Sequence, residues 1–147
     1  MKKRIIIIIS VLLAITAVIT GIYMISRDKV TPGSILIISD NGKTTVRMDD
    51  LTLTPVKGSI TNKKGETKEI DAEGYRLTDI PVLTGITGYA DITVYADDEY
   101  SATVSAEDMS DPDKAWLIKS DESIRLIVFG DSDSKRDVKN VVRIVIR

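Results

Sequence analysis

The stretch Ile5 to Ile25 holds 21 residues without one charged side chain, fenced by Lys2-Lys3-Arg4 before it and Arg27-Asp28-Lys29 after it. No other feature restricts the fold so tightly. At about 1.5 Å of rise per residue, such a run crosses the roughly 30 Å hydrocarbon core of a bilayer as a helix. In lipid a lone segment satisfies its own backbone groups only as a helix, so the abundance of Ile and Val does not count against that form. A cleaved secretory signal has an apolar region of about 7–15 residues followed by a small-x-small site. This run is longer, and Val18-Ile19-Thr20-Gly21-Ile22-Tyr23-Met24 offers no Ala-x-Ala. Residues 1–29 are therefore expected to be a basic start and an uncleaved signal-anchor, with a transmembrane helix over about 5–25. With no cysteine in the chain, a lipid anchor on a modified Cys is excluded.

Orientation follows the Lys and Arg near the two ends. Lys2, Lys3, Arg4 and the amino terminus outweigh Arg27 and Lys29. The expected location is the cell membrane, single-pass, with the N-terminus cytoplasmic and the C-terminal domain, residues 30–147, extracytoplasmic. Tyr23 falls near the outer interface, where aromatic rings are favoured.

The segment from Val30 onward carries 15 Lys and Arg against 21 Asp and Glu, a net of −6. That balance disfavours nucleic acid or an anionic lipid surface as the main partner. The length suits one domain with one core. Histidine is absent, which removes the commonest metal ligand and general base. One Phe and one Trp leave the core to Ile, Val and Leu.

Pro32-Gly33 punctuates a short linker over Ser26 to Gly33. Ser34 to Ser39 is an apolar run with the signature of a strand, Asp40-Asn41-Gly42-Lys43 a hairpin turn, and Thr44 to Met48 the returning strand. Val56 to Thr61 and Glu66 to Ile70 flank a second turn at Asn62 to Gly65. Tyr75 to Ile86 is expected to contain a short helix capped by Thr78, with Pro81 in its first turn and Gly85 at its left-handed end. Leu77, Ile80 and Leu83 would form its apolar stripe. Ile92 to Ala96 and Tyr100 to Val104 are strands about the turn Asp97-Asp98-Glu99. Ser105 to Met109 is one helical turn, capped by Ser105 with Asp108 at its third position. Ala115 to Lys119 and Ile124 to Phe129 are strands joined at Ser120-Asp121-Glu122-Ser123. After the loop Gly130 to Asp137, Val141 to Ile146 is the last strand. The predicted fold class is α+β: the N-terminal transmembrane helix, then one mixed, mostly antiparallel β-rich domain of eight or nine strands with short helices.

Three stretches, in this order, resemble the oxidoreductase molybdopterin-binding domain of sulfite-oxidase-like enzymes. They are Tyr75 to Ile80 followed by Gly85-Ile86; Val94 to Ser101 followed by Val104 to Met109; and Arg125 to Phe129 followed by Val138 to Ile144. The match runs from about residue 55 to 147. The resemblance implies the fold. It does not imply the chemistry, because the family binds molybdenum through a cysteine thiolate and holds the pterin phosphate with histidine and arginine. Asp98-Glu99-Tyr100 also stands where the family has Asp-Gly-Tyr. No cofactor is expected; molybdopterin would be one only if the resemblance extended to chemistry.

Asp97-Asp98-Glu99, Asp111-Pro112-Asp113 and Asp131-Ser132-Asp133 offer oxygen ligands of the kind Ca²⁺ takes, but lack EF-hand spacing and read as solvated turns. Ser132-Asp133-Ser134-Lys135 reads as a turn rather than a Ser–Lys nucleophile. Tyr75, Tyr89, Tyr95 and Tyr100 lie within 26 residues and suggest either a pocket for a flat ligand or strand packing. The cofactor- or ligand-binding candidates are Asp97, Tyr100 and Ser101; no catalytic or metal residue stands out. Trp116 is assigned to the core. The expected function is a non-catalytic extracytoplasmic binding or accessory module beside a redox system, with a membrane-proximal protein or small ligand as partner. The rivals are a genuine molybdopterin-dependent oxidoreductase and a β-sandwich envelope or adhesion module.

Overall fold

The computed structural model describes residues 1–26, 30–121 and 123–147. Arg27, Asp28 and Lys29 of the expected linker, and Glu122 of an expected turn, lie outside the described residues. The apolar run forms α1, Lys2–Ser26, about 37 Å long at the usual helical rise. Thr16 and Thr20 donate their hydroxyls to the carbonyls of Leu12 and Thr16 at 2.9 and 2.8 Å, which keeps those polar groups satisfied inside the helix. The stretch Lys2–Met24 is long and apolar enough to cross a membrane, and none of its apolar window is buried.

Nine strands follow among the described residues: β1 Ser34–Ser39, β2 Gly42–Arg47, β3 Thr54–Thr61, β4 Thr67–Arg76, β5 Asp91–Ala96, β6 Ser101–Ser105, β7 Ala115–Ser120, β8 Ser123–Val128 and β9 Val141–Ile146. A short helix α2, Asp79–Leu83, sits between β4 and β5, and single 3-10 turns occupy Met48–Asp50 and Asp108–Ser110. The α+β class read from the sequence is what the chain adopts. One sheet has the order β2-β1-β9-β5-β6, antiparallel except for the parallel pair β1–β9. The other has the order β3-β4-β7-β8 and is antiparallel throughout.

The sheets share one core. Ile35 and Ile37 of β1, Ile92 and Val94 of β5, Val104 of β6 and Ile144 of β9 meet Leu117 of β7 and Leu126 of β8. Side chains alternate across a strand, so Trp116, Ile118 and Ile127 point away from that core. They pack instead against Val56 and Ile70 of the β3–β4 hairpin. The hairpin can fold over them because β4 pairs with β7 only at Gly74 to Arg76. Strands β7 and β8 are thus buried on both faces, which is why their sequences are near-continuous apolar runs. Trp116 is buried as expected, in this second cluster, with its Nε1–H donated to the Asp113 carbonyl at 2.8 Å.

Three local expectations change. The first hairpin closes on Asp40-Asn41 alone, with Gly42 already the first residue of β2 at φ 119°, and Met48 leaves the strand for a 3-10 turn. Thr78 does not cap α2: its own backbone is helical (φ −61°, ψ −23°) and its hydroxyl makes no cap bond. Leu83 leaves the apolar stripe. Leu77 and Ile80 are fully buried, whereas Val82 and Leu83 are 74% and 47% exposed, because the five-residue helix ends before a second turn can reach the core. Gly85 does take the left-handed conformation, at φ 73°.

Candidate functional site

The candidates Asp97, Tyr100 and Ser101 sit on one hairpin turn. Ala96 donates its N–H to the Tyr100 carbonyl at 2.8 Å, closing the turn, and Glu99 takes φ 68°. Asp98 Oδ1 accepts the Tyr100 N–H at 3.0 Å. Ser101 is the first residue of β6, opposite Tyr95. The turn lies at the end of the sheet where the chain enters β1: Ala96 pairs with Val141, and Leu36 of β1 pairs with Arg143.

Around this turn the contacts are polar and reach across the chain. Tyr100 donates its hydroxyl to the Lys135 carbonyl at 2.5 Å. Asp97 donates its N–H to the Asn140 carbonyl at 3.1 Å. Arg143 bonds Glu99 at 2.8 Å and lies 4.3 Å over the Tyr95 ring. The result is an exposed shelf, with Tyr100 48% exposed. The four clustered tyrosines do not line one pocket. Tyr75 and Tyr89 pack against the shared core, and Tyr89 precedes β5 while Tyr95 and Tyr100 stand at its other end. Burial, and then the nearby Asp79 charge, push the Tyr75 hydroxyl pKa upward.

The acidic clusters are turns, and in each one carboxylate bonds the backbone close by. Asp98, Asp111 and Asp133 each accept the backbone N–H two residues on, at 3.0, 3.0 and 3.1 Å. Lys135 pairs with Asp133 at 3.0 Å, which accounts for the Ser132 to Lys135 motif as a turn.

Sequence reasoning missed the densest constellation, which ties the segment 130–140 across the gap between β6 and β8. Arg136 donates to Asp108 at 2.5 Å and to both oxygens of Asp131, one of them at 2.8 Å. Lys114 donates to the other oxygen of Asp108 at 2.5 Å. Ser105 Oγ accepts the Asp108 N–H at 3.1 Å, the cap that the sequence led us to expect. Arg125 grips both oxygens of Asp137, and Leu126 and Val138 exchange backbone hydrogen bonds of 2.8 and 3.2 Å. Hydrogen bonds from Lys114, and then from Arg136, hold the Asp108 carboxyl far below the usual carboxylate range; Asp131 above all raises Arg136. Both shifts favour the charged forms, so Asp108 and Arg136 act as a fixed link in a strap. The Ser105/Asp108 cap was its only local signal, since Arg136 lies 28 residues from Asp108. An open depression of about 530 Å³ lies beside it, lined by Glu107, Asp108, Asp111, Lys114 and Phe129 among others. No family model matches the chain, and no curated protein matches its sequence.

Proposed function

We propose that the chain is a membrane-anchored, extracytoplasmic, non-catalytic binding module, built on a molybdopterin-oxidoreductase-like fold and working beside a redox system close to the bilayer. One observation carries the anchoring: among the described residues, the apolar side chains of Lys2–Met24 are exposed rather than packed on the domain, and lipid is the medium that suits them. The redox association rests on the resemblance of the three stretches within residues 75–144. The donor set does not fit that family's molybdenum site, because the chain has neither a cysteine thiolate nor a histidine. The shelf at Asp97, Tyr100 and Ser101 lies at the end of the sheet where the chain enters β1, which suits a partner held at the membrane.

The absence of native cysteine gives a clean topology experiment. Single variants Lys2→Cys and Lys63→Cys are treated on intact cells with a membrane-impermeant maleimide. Labelling at 63 alone, with the protein in the membrane fraction, is expected. Labelling at 2 alone, or recovery of a shortened soluble chain, would overturn the reading. Stoichiometric molybdenum in the purified protein would instead favour the oxidoreductase. The two facing sheets favour a β-sandwich envelope module as second reading. Pull-down by purified cell envelope, with no redox protein retained, would select it.

A further inference from the structure

The larger sheet is covered on one face. Its inner face sends Ile35, Ile37, Ile92, Val94 and Ile144 into the shared core. Strands β7 and β8, helix α2 and the two 3-10 turns reach that same side, through Leu117, Leu126, Ile80, Met48 and Met109. Side chains alternate across a strand, so Leu36, Ile38, Val145 and Tyr95 belong to the outer face. None of these four joins either core cluster, and Ile38, Val145 and Tyr95 are only half-buried. Among the described residues the outer face therefore has no covering layer. Yet β1 and β9 read Ile35-Leu36-Ile37-Ile38 and Ile144-Val145-Ile146, the near-continuous apolar pattern of strands buried on both faces. Strands β7 and β8 share that pattern and do have both faces covered.

The register locates the apolar residues on that face. Leu36 lies beside Arg143 and Ile38 beside Val145, so the apolar stripe runs along the seam between β1 and β9. Arg47 of β2, opposite Ser34, is exposed on one margin. Asp98, exposed in the turn after β5, stands on the other margin at the same end, because Tyr95 pairs with Arg143. A cation on one side of the stripe and a carboxylate on the other make the face complementary to itself.

We propose that a second copy of this chain covers the outer face, forming a two-fold dimer in the membrane. The dimer rests on the anchoring argued above. A two-fold axis along the β1–β9 seam lays Ile38 of each copy over Val145 of the other, in the aligned packing common to facing sheets. It keeps both β1 entries at one end, which suits two anchors in one bilayer. It also lays β2 over the partner copy's β5, which brings Arg47 toward the partner copy's Asp98. Five strands about 4.8 Å apart and six residues long give a face of about 480 Å² per copy. A standard interface buries roughly 800 Å² per partner. The contact is therefore weak in dilute solution, and it forms because the bilayer concentrates both copies on one surface.

The test is cross-linking of the full chain in its membrane, which the absence of native cysteine makes clean. Asn41, exposed at the tip of the β1–β2 hairpin, lies within about 10 Å of the proposed axis. A bismaleimide spanning about 20 Å should join Asn41→Cys chains into a covalent dimer. Lys63→Cys, on the hairpin of the other sheet, should give little product. Ile38→Glu places a carboxylate in the apolar stripe and should cut the Asn41→Cys product about tenfold. Arg47→Glu sets like charges together and should cut it about threefold; its exposed position leaves the fold intact should Ile38→Glu disturb it. No dimer at position 41, equal product at 41 and 63, an adduct with a different protein instead, or a product unchanged by both substitutions would each overturn the dimer. With the full-length chain in the membrane fraction, those results leave the anchoring standing; a shortened soluble chain would overturn both.

Discussion

Asp108 shows how much one carboxylate can organise. It receives Lys114, Arg136 and the Ser105 hydroxyl, and through Arg136 it is joined to Asp131. Its folded pKa is depressed. The stability it supplies is therefore complete above the unfolded carboxylate value of about 4, and is lost as pH falls through the lower folded value. Asp108→Asn should lower Tm by a few degrees at neutral pH. The gap from wild type should stay constant down to about pH 4 and close below it. Melting curves across that range check this, and a gap that widens in acid would contradict the assignment. The three acidic turns teach the complementary lesson. Their short spacing let sequence alone identify them as turns, because in each one aspartate needs only the N–H two residues on.

Among the elements, hairpins were the most legible. Asp40-Asn41-Gly42, Asn62 to Gly65 and Asp97 to Glu99 announce reversals through local backbone preference, and the flanking apolar runs then fall into strands. What needed tertiary information stayed hidden. Leu83 has the right spacing for a buried stripe, yet α2 is too short to present it. The folding of β3–β4 over Trp116 was likewise unreadable, although two glycines permit it. A Cβ at Gly74 would lie 2.9 Å from the Leu117 carbonyl oxygen, and one at Gly58 would lie 2.7 Å from the Phe129 ring. Gly74→Ala should cost about 1–3 kcal/mol, because the obstacle is backbone. Gly58→Ala should cost less, because the half-buried Phe129 ring can turn aside. Chemical denaturation of both variants measures the order; equal losses would show that the hairpin yields at both places.

At the scale of the whole molecule, the decisive contact is the least local one. β9 lies between β1 and β5 and contributes Val141, Ile144 and Ile146 to the shared core. The closing strand was legible from its apolar run, but its parallel pairing with the first strand was not, since no turn joins them. A chain ending at Asn140 should keep its separate hairpins and lose cooperative unfolding. Far-ultraviolet dichroism during heating would show a broad, non-sigmoidal change; a sharp transition would mean the core closes without β9.

The parallel pairing of β1 with β9 also sets an order of events in time. A ribosome delivers α1 well before Val141 to Ile146. Until those residues emerge, the larger sheet can exist only as two unconnected hairpins. Helix α1 is therefore made before the larger sheet can close, and that sheet reaches its finished order only once Val141 to Ile146 have emerged.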